Sequence, residues 1–174
     1  MAKELEIRRH TDDGDGDVLT TDGIQEAVRI GREELAGGYT LAVSSGAQRA
    51  TQTVACLLAG LGEAVPLGVV VEDGFRSDRE DEWKDAYGEA GSGHLDALRG
   101  AAPALVEEDS AALAGALERV LAHLDDGQRA LVVGHSPTSE AAVLGLTGET
   151  VEPLGKGEGV LVTLDGEERS VRRR

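Results

Sequence analysis

The chain has 174 residues, and its 33 acidic against 17 basic side chains give a formal net charge of -16. This length fits one domain, spanning residues 1–174. No apolar run reaches the roughly 20 residues of a membrane-spanning helix, and the charged N-terminus is unlike a signal peptide, so we expect a cytoplasmic protein. Because so acidic a chain repels polyanions, we expect neither nucleic acid nor an anionic membrane as a partner.

The first part of the chain alternates short strands with helices. Hydrophobic periodicity and capping residues predict, in chain order, a strand at 5–7, a helix from a cap at 20–23 to about 35, a strand at 40–43 and a helix at 48–61. Gly37-Gly38 and Gly62 are expected to end the two helices. A third strand lies within 65–71, where Pro66 and Gly68 indicate an edge position or a late start.

The pattern changes after the third strand. Residues 72–107 are polar and Gly-rich, and we expect them to make an excursion that covers one face of the domain and lines the mouth of a pocket. Beyond it, the sequence predicts a helix at 113–124, a strand at 130–133, a short helix, a strand at 159–164 and a solvated basic tail.

Strands that alternate with helices of this length predict right-handed βαβ units. The fold class is therefore α/β, with a mainly parallel sheet covered by helices on both faces. Ligands of such sheets bind beyond the carboxyl ends of the strands. Three predicted strands end at Arg9-His10, at Ser44-Ser45 shortly before Arg49, and at Gly134-His135, so these polar groups should converge on one rim.

These residue types suit the transfer of a phosphoryl group to nitrogen. Such a transfer needs a neutral imidazole in line with the leaving oxygen and dense positive charge around the phosphate. His10 can supply the imidazole, Arg9 and Arg49 the bidentate cations, and His135 a further donor. Neighbouring cations should lower the pKa of His10, and a backbone carbonyl from the adjacent loop should orient its ring.

Four segments carry a resemblance to a known family. Arg9-His10-Thr11 resembles an Arg-His-Gly motif, residues 19–23 a Leu-Thr-x-x-Gly helix start, residues 44–53 a Ser-Ser-Pro-x-x-Arg-Ala-x-Gln-Thr block, and Gly134-His135-Ser136 a Gly-His-Ser element. In this order they resemble the histidine phosphatase (phosphoglycerate mutase-like) superfamily, and the short chain is most similar to its small bacterial phosphohistidine phosphatase branch.

The resemblance implies a three-layer α/β/α sandwich of the phosphoglycerate mutase type, acting without a metal or another cofactor. His10 would be the nucleophile, with Arg9, Arg49 and His135 as catalytic residues that bind the phosphate. Ser136 and Thr11 would add phosphate contacts. Thr11 stands where the family has Gly, and Gly46-Ala47 replaces a Pro-Leu-type pair, so the pocket should differ around both positions.

The general acid is less clearly marked. The family's acid commonly sits in a Leu-x-Glu context, and Ser77 occupies that place here, next to Asp78. Asp78 is the first candidate and Glu72 the second. A chain without an acid is the third possibility, because the phosphohistidine phosphatase branch lacks a clear one and acts on a good leaving group.

The function expected from these residues is hydrolysis of a phosphomonoester or a phosphohistidine through a phosphohistidine intermediate on His10. The partner would be a small phosphorylated substrate or a phosphohistidine protein, and inorganic phosphate would be the product. The alternatives are a phosphate-binding or interaction module of the same fold without turnover and, less favoured because the chain is short, a phosphomutase.

Three other features of the sequence do not predict a further binding site. The acidic loop, defined as residues 12–17, lacks the Gly and Glu positions of a calcium-binding EF-hand, so we interpret it as a solvated loop at the pocket mouth that could favour a positively charged substrate. The glycine loop, residues 155–159, precedes a strand, whereas a nucleotide-binding loop follows one. Arg8 should point away from Arg9, because side chains alternate along a strand.

Overall fold

A computed structural model describes residues 1–174 and contains one six-stranded sheet flanked by helices. Its strands are β1 (Lys3–Arg9), β2 (Leu41–Ser44), β3 (Val69–Val71), β4 (Arg129–Gly134), β5 (Gly159–Asp165) and β6 (Glu168–Arg173). Its helices are α1 (Thr21–Glu33), α2 (Gln48–Leu61), α3 (Glu80–Ala90), α4 (Leu95–Ala101), α5 (Pro103–Leu121) and α6 (Thr138–Thr147).

The strand order in the sheet is β3-β2-β4-β1-β5-β6. The first four strands are parallel to one another, whereas β5 and β6 run antiparallel to their neighbours. The sheet is therefore mainly parallel, and the predicted α/β class is confirmed. The topology places the carboxyl ends of β1, β2 and β4 side by side at one edge.

Side chains of the central strands alternate between two cores. Leu131 and Val133 of β4 face the layer formed by α1 and α2, whereas Ala130 and Val132 face the larger layer formed by α3 to α6. This period-two pattern explains why β4 reads as a continuous apolar run, since a strand covered on both faces needs apolar residues at every position. The two helical layers and the sheet make up the expected three-layer sandwich.

Capping groups set several helix boundaries. The hydroxyl of Thr20 accepts a hydrogen bond from the backbone N–H of Gly23, which starts α1 as predicted. Gly62 takes a left-handed conformation, with φ of 70°, and ends α2 at the predicted residue. Helix α1 ends at Glu33, a few residues before Gly37-Gly38. None of the helices is long and apolar enough to cross a membrane.

Two segments differ from their prediction. Helix α5 begins at Pro103, ten residues before the predicted start, because Pro at the first helical position needs no N–H partner. The C-terminal segment is not a solvated tail: it forms β6, which pairs with β5 through six residues and closes the sheet edge. Its charged, mostly exposed side chains suit an edge strand, because charges there discourage pairing with another chain.

Candidate active site

Three loops that follow β1, β2 and β4 bring the candidate side chains together. His10 follows β1, Ser45 follows β2 and His135 follows β4, and all three side chains are buried. Arg49 enters from the first turn of α2. The rings of His10 and His135 lie 5.4 Å apart between centroids, at an interplanar angle of 56°. The predicted convergence of these residues is therefore present in the structure.

A backbone carbonyl orients the His10 ring. Its Nδ1 lies 2.8 Å from the carbonyl oxygen of Thr11, which can only accept, so Nδ1 carries the proton. The other nitrogen, Nε2, then carries the lone pair, which accepts a hydrogen bond from the Nε of Arg49 over 3.4 Å. This tautomer is the one that a nitrogen nucleophile needs.

His135 is held from both of its nitrogens. Its Nδ1 lies 3.1 Å from Nη2 of Arg49, and its Nε2 lies 2.7 Å from Oγ of Ser45. A guanidinium can only donate, so in the neutral ring Nδ1 accepts and Nε2 donates to the serine. Arg49 therefore contacts both imidazoles, one through Nε and the other through Nη2.

Burial keeps both imidazoles neutral. Desolvation is the largest cause that lowers the pKa of His10; Arg49 and Arg9 lower it further, while the Thr11 carbonyl and Asp13 act in the opposite direction. Burial, followed by the charge of Arg49, lowers the pKa of His135 to about 3. The expected lowering of the His10 pKa is present, although burial contributes more than the cations do.

The acidic loop forms a wall of the site and is not simply solvated. Asp17 Oδ1 lies 2.5 Å from Nη1 of Arg49, and the same carboxylate accepts the backbone N–H of Gln48 over 2.9 Å. Because Ala47 has no side chain that could cap α2, Asp17 provides the cap from a distant loop. Asp13 lies 3.8 Å from Nδ1 of His10 and 2.6 Å from Nζ of Lys156.

The glycine loop supports the backbone of the nucleophile. The N–H of Gly157 lies 3.2 Å from the carbonyl oxygens of Arg9 and His10, and its φ of 79° favours glycine. Arg8, which is 1% exposed, donates from Nη1 to the Gly157 carbonyl over 2.8 Å. Its other partners are buried Glu6 and, at 4.0 Å, Glu34, whereas Arg9 bonds to Leu154, so the two arginines point apart as expected.

The three remaining candidate phosphate ligands, Arg9, Ser136 and Thr11, differ in their surroundings. Arg9 donates from Nη1 to the Leu154 carbonyl over 2.9 Å and lines a cavity of about 280 Å3 together with Ser136. Ser136 also lines the larger cavity beside His135. The Thr11 hydroxyl donates to the carbonyl of Gly23 over 2.8 Å, so its proton is already engaged within the protein.

Neither candidate acid lines the cavity that contains His135. Glu72 pairs with Arg119 at 2.9 Å and caps a short 3-10 helix, because its side chain accepts from the Gly74 N–H. Asp78 lines an adjoining acidic cavity of about 580 Å3, outside the one that contains His135. Proximity in sequence to the third strand does not show which carboxylate faces the cavity with His135.

Glu80 is the carboxylate that the structure places in the cavity with Arg49 and His135. It opens α3 and pairs with Nε of Arg76 at 2.8 Å, and this hydrogen bond lowers the pKa of Glu80. The signal in the sequence was weak, since Glu80 is one of several acidic residues in the first turn of α3 and stands three residues after the family position.

The cavity beside His135 has a volume of about 480 Å3 and a mixed wall. Helix α3 contributes Glu80, Trp83, Lys84 and Tyr87, which lie opposite Pro137 and Thr138 at the start of α6. The Trp83 indole donates from Nε1 to buried Asp109, so only its ring is available to a ligand. No group of three or more His, Cys, Asp or Glu side chains is arranged to hold a metal ion.

Comparisons with known proteins find relatives in structure but not in sequence. No protein-family model matches the chain, and no curated protein matches it. Among solved structures, phosphoglycerate mutase from Bacillus anthracis has a TM-score of 0.71 and 18% identity, covering 99% of this chain and 92% of that one.

Two further structures carry names of phosphatases. A mycobacterial glucosyl-3-phosphoglycerate phosphatase has a TM-score of 0.68 and 18% identity, over 99% of this chain and 97% of that one. The putative phosphohistidine phosphatase SixA from Agrobacterium tumefaciens has a TM-score of 0.56 and 20% identity, over 98% and 95%. At these identities the likeness shows a shared fold, so this chain has the phosphoglycerate mutase-like fold.

Proposed function

We propose that this chain is a metal-independent phosphatase of the histidine phosphatase superfamily, formed by one domain over residues 1–174. The observation that carries the proposal is the contact of Arg49 with Nε2 of His10 and Nδ1 of His135. A phosphate between these groups would receive donors from the guanidinium while facing the lone pair of His10, which is the arrangement that phosphoryl transfer to nitrogen requires.

The first step forms a bond between Nε2 of His10 and phosphorus while the bond from phosphorus to the leaving group breaks. Arg49 and Arg9 stabilise the negative charge on the phosphoryl oxygens, and His135 adds a donor that the bound dianion helps to protonate. The Thr11 carbonyl keeps the proton on Nδ1, which stabilises the phosphohistidine cation.

The second step returns His10 to its initial state. Water attacks phosphorus, the bond to Nε2 breaks, and inorganic phosphate leaves. We assign to Glu80 the uptake of the proton from that water, because it is the carboxylate that lines the cavity with Arg49 and His135. Its hydrogen bond with Arg76 lowers its pKa, which favours the ionised form. An ionised Glu80 gives no proton in the first step, which favours substrates with good leaving groups, such as phosphohistidine or an aryl phosphate.

A phosphate-binding module without turnover is the second candidate, and the ion pair between Asp17 and Arg49 favours it. A carboxylate already occupies one side of the guanidinium, so a bound phosphate could exchange with it without reacting further. A phosphomutase differs from both, since it would produce an isomerised phosphate ester with little free phosphate.

The test measures release of inorganic phosphate from p-nitrophenyl phosphate and from a phosphohistidine protein, in the presence of a chelator. We expect multiple turnovers by the wild-type chain, none by His10→Ala, and unchanged turnover by His123→Ala, which alters an exposed histidine. Phosphate binding without release would support the module, and dependence on added metal would contradict the proposal.

A further inference from the structure

Glu140 is a buried carboxyl group with no role in the steps above. It lies on α6, one turn after Ser136, and is 1% exposed. Its Oε1 accepts two hydrogen bonds, one from the Ser136 hydroxyl and one from the backbone N–H of Leu154 over 2.8 Å. Its other oxygen, Oε2, is buried and has no partner.

These bonds connect Glu140 to two walls of the site. Ser136 lines the cavity beside His135. Leu154 links Glu140 to Arg9, because the Leu154 carbonyl accepts a hydrogen bond from Nη1 of Arg9 over 2.9 Å. One carboxyl oxygen thus fixes both the serine after His135 and the peptide that anchors the arginine before His10.

We propose that Glu140 is a positioning residue of the phosphate site: it orients Ser136 directly and Arg9 through the backbone of Leu154. The inference rests on the proposed function in one respect, which is that Ser136 and Arg9 bind the phosphate. A buried polar group that makes bonds on two separate segments fixes their relative geometry, and small displacements of a phosphate ligand weaken its bonds.

The charge state of Glu140 fits this role. Burial is the largest cause that raises its pKa, whereas the Ser136 and Leu154 hydrogen bonds and the Arg9 charge act in the opposite direction. Burial therefore disfavours the carboxylate form of Glu140, which would compete with a phosphate dianion for the positive charge of Arg9. The Nε of Arg9 is buried and has no protein partner, so this donor is not engaged by Glu140.

Three substitutions separate positioning from general packing. Glu140→Gln keeps an acceptor oxygen in the place of Oε1, Glu140→Asp withdraws the acceptor by one methylene, and Glu140→Leu removes it at similar volume. Ser139→Ala is the matched control, because Ser139 is the preceding residue of α6 and its buried hydroxyl has no partner.

The measurement is calorimetric binding of inorganic phosphate, together with KM and kcat for p-nitrophenyl phosphate. We expect Glu140→Gln and Ser139→Ala to bind phosphate within about threefold of the wild type. Glu140→Leu should bind roughly tenfold more weakly, about 1.4 kcal/mol, with a rise in KM. Glu140→Asp should weaken binding in the same direction, and it provides the test if Glu140→Leu does not fold.

The two proposals fail in different ways. Folded Glu140→Asp or Glu140→Leu chains that bind phosphate like the wild type would overturn the role of Glu140, whatever the turnover. If the wild-type chain binds phosphate but releases none from substrates, the phosphatase proposal fails, while the ranking of the Glu140 variants in phosphate binding still decides the positioning role.

Discussion

Asp17 and Arg49 form an ion pair, with 2.5 Å between Oδ1 and Nη1, inside the proposed phosphate site. The carboxylate also accepts the backbone N–H groups of Gln48 and Arg49 at the start of α2. A guanidinium and the N-terminal N–H groups of a helix are typical ligands of phosphate. Asp17 thus accepts hydrogen bonds from groups that a bound phosphate would compete for.

Asp17→Asn should strengthen phosphate binding. Asparagine still caps a helix but has no negative charge, so it competes less for Arg49 and repels the dianion less. We expect the Kd for inorganic phosphate to fall by about threefold to fivefold, since an ion pair of this exposure contributes up to about 1 kcal/mol. Calorimetry measures the change, with exposed Asp15→Asn as the control. Equal or weaker binding in Asp17→Asn would refute the competition.

Arg49 should be the arginine whose loss slows turnover most. Removing one donor that stabilises a developing anion typically lowers kcat by about 100-fold to 1000-fold. We expect a loss of that order in kcat/KM for Arg49→Ala, with little effect from Arg32→Ala, whose guanidinium is exposed and pairs only with Glu33. Steady-state kinetics with p-nitrophenyl phosphate provides the measurement. A loss below about tenfold would mean that Arg49 does not contact the reacting phosphate.

The two site histidines should titrate below the ordinary histidine range. The pKa of His10 is lowered from 6.5, so the fraction of neutral nucleophile falls only as the pH drops through that lower value. His135, with a pKa of about 3, should stay neutral over the same range in the phosphate-free chain.

Asp13→Asn should lower the His10 pKa further, because Asp13 is a charge that favours the imidazolium. An NMR titration of the histidine ring protons measures both groups. A His10 midpoint above 6.5, or an upward shift in Asp13→Asn, would contradict the stated electrostatics.

Glu80→Gln should slow the second step more than the first. If Glu80 takes the proton from the attacking water, its loss leaves phosphorylated His10 waiting for hydrolysis. We therefore expect a burst of p-nitrophenol, close to one equivalent, followed by turnover about 100-fold slower, within the range of general base catalysis. Glu82→Gln, in the same helix turn but outside the cavity with His135, is the control. A slower burst with no phosphoenzyme would assign Glu80 to the first step.

Residues with strong local signals allowed much of the fold to be predicted. The helix at Gln48–Leu61 and the apolar strand that delivers His135 follow from periodicity and from Gly62, which are properties of neighbouring residues. The convergence of His10, Arg49 and His135 follows from the rule that parallel strands end at one edge.

The parts that could not be predicted depend on contacts between distant segments. The residues of the basic tail do not themselves show that they pair with β5. The carboxylate that caps α2 is Asp17, which lies in a loop about 30 residues earlier in the chain. Glu80 stands among several acidic residues, and only the direction of α3 places it in the cavity. Glu140 reads as an ordinary helical Glu until its burial is known.

The most direct test of the central claim is to locate the phosphoryl group during turnover. The chain is mixed with p-nitrophenyl phosphate, quenched with alkali within milliseconds to preserve phosphohistidine, and digested for mass spectrometry. The account predicts phosphate on His10 in the wild type, more of it in Glu80→Gln, and none in His10→Ala. A phosphoryl group on another residue, or steady phosphate release by His10→Ala, would contradict it.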